Sequence, residues 1–141
     1  MITFLDFHNT VFNSNAYDAA VRSGDGTPDP TQFVYPDAVQ TLKSLENNGV
    51  VVTSAPADFV KAALAHIPRI TFLATEGKSK AEYLSLWPGY YGQEAVFVDD
   101  SVSELTELSE KYPSLKCIEI RRDLAEGAGM FKVITSLSQL P

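Results

Sequence analysis

The stretch Ile2-Thr3-Phe4-Leu5-Asp6-Phe7-His8-Asn9-Thr10-Val11 decides how the rest of the chain is read. It begins as a short apolar, β-rich run and stops at an acid, with polar residues following. Runs of the same kind recur along the chain. Val50-Val51-Val52 follows the turn signal Asn48-Gly49 and stops at Thr53-Ser54. Ile70-Thr71-Phe72-Leu73 follows Pro68, and Ala95-Val96-Phe97-Val98 stops at Asp99-Asp100. Cys117-Ile118-Glu119-Ile120 and Phe131-Lys132-Val133-Ile134 complete the series. Four of these runs are nearly continuous in apolar character, which suits strands covered on both faces.

Helical patterns lie between the runs. Asp37 to Asn47 spaces Val39, Leu42 and Leu45 by three, with Pro36 at its start and Gly49 beyond its end. Ala57 to His66 carries Phe59, Val60, Ala63 and Leu64; Lys80 to Leu86 carries Tyr83 and Leu84, with Trp87 just beyond; Ser101 to Tyr112 carries Leu105 and Leu108. Strand then helix, repeated, predicts right-handed parallel crossovers. The expected fold is α/β: a three-layer, doubly wound, Rossmann-like and mostly parallel sheet of about five or six strands. Asn13 to Val34 breaks the rhythm with Gly24, Gly26, Pro28 and Pro30 and offers only a short helical pattern around Tyr17 to Val21. A stretch of that length predicts a flap or mobile loop inserted in one domain spanning 1–141.

Composition narrows the function. The 141 residues are 45% hydrophobic and 21% charged, which excludes a disordered tail. No run of 18 apolar residues occurs, and MITFLDFHNT has no basic n-region, so neither a membrane span nor a signal peptide is expected. The single Cys117 excludes an internal disulfide and a cysteine-based zinc site, and a cytoplasmic location is the expectation. A net charge of −7 argues against general nucleic-acid coating. The densest basic spot is Arg121-Arg122, and Asp123 follows it directly.

Ligands of open parallel sheets bind beyond the carboxyl ends of the strands. Asp6, Thr53-Ser54 and Asp99-Asp100 stand at three such ends. If those strands are neighbours, carboxylates from two strands meet a hydroxyl pair, a set suited to Mg²⁺ and a phosphate. Lys78 and Lys80, in Glu76-Gly77-Lys78-Ser79-Lys80, start a predicted helix and add positive potential where an anion is already favoured. Each feature has a plainer reading as well. Asp6 can cap a turn, Thr53-Ser54 and Asp100-Ser101 can cap helices, and either lysine can be solvated. His66 reads as a helix-end residue. Trp87, Tyr90 and Tyr91 read as a cluster packing a loop, with base stacking the alternative.

In this order and spacing the motifs resemble those of the haloacid dehalogenase (HAD) superfamily, over nearly the whole chain. Asp6-Phe7-His8-Asn9-Thr10 matches its first motif, Val50 to Ser54 its second, Lys80 in Ser79-Lys80-Ala81 its third and Val96 to Ser101 its fourth. The resemblance implies Mg²⁺-dependent phosphate hydrolysis. Asp6 would be the nucleophile, and Mg²⁺ would sit between Asp6, the His8 backbone carbonyl and Asp99/Asp100. Thr53, Ser54 and Asn9 would contact the phosphoryl group, and Lys80 would balance its charge, with Lys78 as rival.

One position departs from the pattern. The family's phosphatases carry a second Asp two residues after the nucleophile, and this chain carries His8. Histidine can serve as an acid or base there. The alternative is a weakened module that binds Mg²⁺ and a phosphorylated ligand without efficient turnover. The gaps between motifs leave no room for a full cap domain. By the resemblance, open sites of this kind serve large substrates or are closed by a homo-oligomer; the expected substrate is a small phosphomonoester or nucleotide, or the phosphorylated end of a larger molecule. Thr53-Ser54 resembles the family's deoxyribonucleotidase branch, a hint toward nucleotides.

Overall fold

The computed structural model describes residues 1–24, 26–85, 94–123, 126–127 and 129–141. Six strands form one sheet: β1 (Ile2–Asp6), β2 (Gly49–Thr53), β3 (Thr71–Ala74), β4 (Ala95–Asp99), β5 (Lys116–Ile120) and β6 (Lys132–Ile134). Their order is β3-β2-β1-β4-β5-β6, and every pair is parallel. The order reverses at β1, where crossovers leave toward β2 on one side and β4 on the other. That switch point is where an open sheet forms its crevice.

Each face of the sheet has its own core. Leu5 and Val51 point to one side, with Ala38 and Leu42 of α2 (Pro36–Ser44) and Val60 and Ala63 of α3 (Ala57–Ala63). Phe4, Val50, Val52 and Phe97 point to the other, against Ala81 and Leu84 of α4 (Lys80–Ser85) and Leu105 and Leu108 of α5 (Val102–Lys111). All five residues of β1, β2 and β4 are buried, as their unbroken apolar runs require. Gly49 lets α2 turn into β2 at close range, since a Cβ there would stand 2.6 Å from that of Leu45.

In the segment from Asn13 to Val34, the short helical pattern expected around Tyr17 to Val21 falls inside a longer helix. Helix α1 (Ser14–Arg22) occupies nine residues, and a 3₁₀ turn covers Pro30–Phe33. Asn13 caps α1 by accepting the Ala16 amide at 3.1 Å. Tyr17 and Phe33 pack 5.4 Å apart, centroid to centroid, and Tyr17 meets Phe59 of α3 at 5.3 Å. Aromatic anchoring, rather than periodic apolar patterning, holds this segment on the core. The predicted aromatic cluster of Trp87, Tyr90 and Tyr91 lies outside the described residues.

Candidate active site

Parallel register sets the site. Asp6 pairs with Val52, so Thr53 stands one residue beyond it on β2, and Leu5 pairs with Val98, so Asp99 stands beside Asp6 on β4. The chain after β1 turns back tightly. The Phe7 carbonyl accepts the amides of Val11 and Phe12 at 3.0 and 2.9 Å, and the Asn9 amide donates to the Phe12 carbonyl at 2.7 Å. None of these bonds uses the His8 carbonyl. The turn needs a left-handed residue, and Asn9 supplies it at φ 59°.

Asp6, Asp99 and Asp100 bring carboxylate oxygens within 4.8 Å of one another. Lys80 reaches into this group from α4. Its Nζ donates to Asp6 Oδ1 and to Asp99 Oδ2, both at 2.6 Å, with the lysine only 7% exposed. Thr10 Oγ1 donates to the other Asp6 oxygen at 3.2 Å, and the Ser101 amide donates to Asp99 Oδ1 at 2.9 Å. The turn at Glu76 and Gly77, both at positive φ, delivers Lys80 to this point. Ser79 then donates to Glu107 at 2.9 Å and ties the start of α4 to α5.

The electrostatics follow from burial. Loss of water pushes the Asp6 carboxyl up to about 6, against the lowering pull of Lys80. Burial, then the Asp6 charge, pushes Asp99 up to about 7, and Asp100 is raised by burial first. Burial opposes the Lys80 ammonium, but Asp6 and Asp99 outweigh it and hold its pKa above the ordinary lysine range. Fully ionised, the three carboxylates would face one ammonium and leave two negative charges, which a divalent cation would balance, so favouring ionisation. All-oxygen donors at that spacing fit Mg²⁺, and Asp6, Asp99 and Asp100 are the residues that would hold it.

Thr53 is fully buried, and its Oγ1 accepts the Ala55 amide at 2.9 Å, which leaves the hydroxyl proton to donate elsewhere. Ser54 and Lys78 are both exposed. Lys80, not Lys78, is therefore the lysine the fold brings to the acids. The His8 side chain turns toward α1, where Nδ1 meets Ser14 Oγ at 2.6 Å. It stands outside the carboxylate cluster, and burial, then the Lys80 charge, lowers its pKa below the ordinary value.

Other groups at this edge were not evident in the sequence. Thr75, just past β3, donates its amide to the Thr53 carbonyl at 2.8 Å, and its buried hydroxyl has no partner among the described residues. Arg122 grips the loop after β1 by donating Nη2 to the Thr10 carbonyl at 2.6 Å. The same guanidinium donates Nη1 to Asp37 at 2.8 Å and covers the Tyr35 ring at 3.9 Å. Asp37 also accepts the Ser136 hydroxyl and the Leu137 amide, at 2.9 and 2.7 Å. These contacts join residues about a hundred positions apart, and no local pattern announces them.

No protein-family model matches the chain, and no curated protein is similar to it in sequence. Solved structures are similar in fold. A haloacid dehalogenase-like hydrolase of Burkholderia xenovorans superposes with a TM-score of 0.69 at 12% identity, covering 96% of this chain and 92% of that one. The L-2-haloacid dehalogenase of Xanthobacter autotrophicus gives a TM-score of 0.65 at 14% identity, covering 86% and 78%. The N-terminal part of a Bacteroides fragilis protein containing a phosphatase domain, complexed with Mg, gives 0.61 at 19% identity, covering 86% of this chain and 36% of that one. The fold is haloacid dehalogenase-like.

Proposed function

We propose that the protein is a Mg²⁺-dependent phosphohydrolase acting on phosphomonoesters through an aspartyl-phosphate on Asp6. The observation that carries this reading is the buried Asp6 carboxylate, held at 2.6 Å by Lys80 within a cluster completed by Asp99 and Asp100. The haloacid dehalogenase-like fold supports hydrolysis as the reaction class.

Mg²⁺, held by the three aspartates, would supply positive charge against the phosphoryl oxygens, where most catalysis of this reaction originates. The protein's residues do the rest. An Asp6 oxygen attacks phosphorus, the ester P–O bond breaks, and the leaving alkoxide takes a proton. Lys80 keeps Asp6 oriented and ionised, as Thr10 does from the other oxygen. The Thr53 hydroxyl donates to a phosphoryl oxygen. Water then attacks phosphorus, gives up a proton and releases inorganic phosphate, restoring the Asp6 carboxylate. His8 stands at the sequence position of the family's acid–base residue and would carry these protons once its ring leaves the Ser14 contact.

The test is release of inorganic phosphate from a panel of phosphomonoesters, nucleotides included, with and without Mg²⁺. Turnover that needs Mg²⁺ and disappears in Asp6→Asn is the expected result. The 2.6 Å contact between His8 and Ser14 favours one second reading, a module that binds Mg²⁺ and a phosphorylated ligand with little turnover. Under that reading His8→Asp creates activity that the parent lacks.

A further inference from the structure

A cleft of about 310 Å³ opens beside Asp100, between the loop after β1 and the residues following β5. Asn9, Asn13, Arg121 and Arg122 line it, so donors predominate. The two arginines are employed differently. Arg122 is committed to the scaffold through Thr10, Asp37 and Tyr35. Arg121 donates Nε to Glu119, whose side chain is fully buried, while 26% of the arginine side chain stays exposed. Among the described residues, the terminal nitrogens of Arg121 make no hydrogen bond. A guanidinium anchored at Nε on a buried carboxylate, on a residue that lines a cleft, keeps its terminal nitrogens for an anion.

The remaining lining agrees with a ligand there. The Asn9 amide oxygen is buried without a partner among the described residues and calls for a donor such as a hydroxyl. Two acids balance the two arginines. Asp100 belongs to the cluster a divalent cation would neutralise, and Asp123 is exposed and already engaged. Glu119 and Asp37 already pair with the two arginines, so the pull on an anion comes from the Arg121 donors and from a cation held beside Asp100, not from a net positive charge. Among the described residues, Tyr35 is the aromatic ring lining the cleft, and Arg122 covers that ring at 3.9 Å. The volume lies at the lower end of the roughly 300–1,000 Å³ span of small-molecule sites.

We infer that this cleft receives the leaving group, and that it selects small phosphate esters bearing a second acidic group, a carboxylate or second phosphate, read by Arg121. This rests on Asp6 being the phosphoryl-accepting residue.

Two ligands that differ only in the relevant group test it: 3-phosphoglycerate, with a carboxylate, and glycerol 3-phosphate, with a hydroxymethyl. Their binding is measured by calorimetry with Mg²⁺ on Asp6→Asn protein, which prevents turnover. The expected result is about tenfold or tighter binding of 3-phosphoglycerate, with that preference lost in Arg121→Gln. Because Arg121→Gln strands the buried Glu119 charge, the paired variant Glu119→Gln/Arg121→Gln is measured too, and it also loses the preference. Equal binding, no binding of either ligand, or a preference that survives both changes overturns the inference. Turnover by the parent protein separates the two claims. Turnover without preference overturns the subsite alone. Preference without turnover supports the subsite and overturns the phosphatase reading.

Discussion

The Lys80 ammonium lies 2.6 Å from a carboxylate oxygen of Asp6, although the two stand 74 positions apart in the chain. The contact joins the first residue of α4 to the last of β1 across the sheet edge. It is buried, so neither charge can turn to water if the other is removed.

Replacing Lys80 by Met should therefore cost both stability and activity. Removing one partner of a buried ion pair leaves uncompensated charge, which costs about 3–5 kcal/mol. Urea unfolding of Lys80→Met at neutral pH should show a loss in that range. A variant as stable as the parent would mean that the acids are not ionised in the folded protein.

The three-carboxylate cluster should make Mg²⁺ a stabiliser. Binding only to the folded state at about a hundred times its dissociation constant adds roughly 2.7 kcal/mol. Thermal unfolding should shift upward with Mg²⁺, and Asp99→Asn or Asp100→Asn should reduce the shift. An equal shift in both variants would place the cation elsewhere.

Asp37 gives a pH-dependent prediction away from the reacting groups. Burial raises its carboxyl, but the hydrogen bonds from Arg122, Leu137 and Ser136 outweigh this and hold it below the usual carboxylate range. A depressed folded-state pKa contributes stability that is fully present above the unfolded value of about 3.9. That contribution fades as pH falls through the depressed value. Asp37→Asn should thus be destabilised by about 1–2 kcal/mol at pH 7, and the gap should narrow as the medium becomes acidic below pH 4. A constant gap across that range would show that the charge contributes nothing.

Cys117 should react slowly. Burial, then the Asp99 charge, pushes its thiol up to about 11 from an ordinary 9.0. At pH 8 the reactive thiolate is then about a hundredfold scarcer than in an unperturbed thiol. Iodoacetamide labelling of the folded protein should lag that of the urea-unfolded chain by a comparable factor. Equal rates would contradict the burial argument.

Asp6, Asp99 and Thr53 were legible in the sequence because strands buried on both faces read as apolar runs, and a polar residue ending such a run marks the sheet's carboxyl edge. The parallel order and the three layers followed from the same alternation. The choice between Lys78 and Lys80 was not legible: both start the same helix, and only the turn at Glu76-Gly77 decides which side chain reaches the acids. The 13–34 segment reads as a flap or mobile loop with only a short helical pattern around Tyr17 to Val21, because its anchors, Tyr17 and Phe33, share no period and its glycines and prolines dominate the pattern. Arg121-Arg122 registered only as a charged spot. Its role emerges from Glu119, Thr10 and Asp37, which long-range folding brings to it.

The central claim is that Asp6 carries the phosphoryl group. Acid-quenching a reaction with Mg²⁺ and a turned-over ester, then reducing with borohydride, converts an acyl phosphate on aspartate to homoserine, which peptide mass spectrometry locates. The account predicts homoserine at position 6, dependent on both the ester and Mg²⁺. Sustained turnover with position 6 still aspartate, or with homoserine at another position, would contradict it.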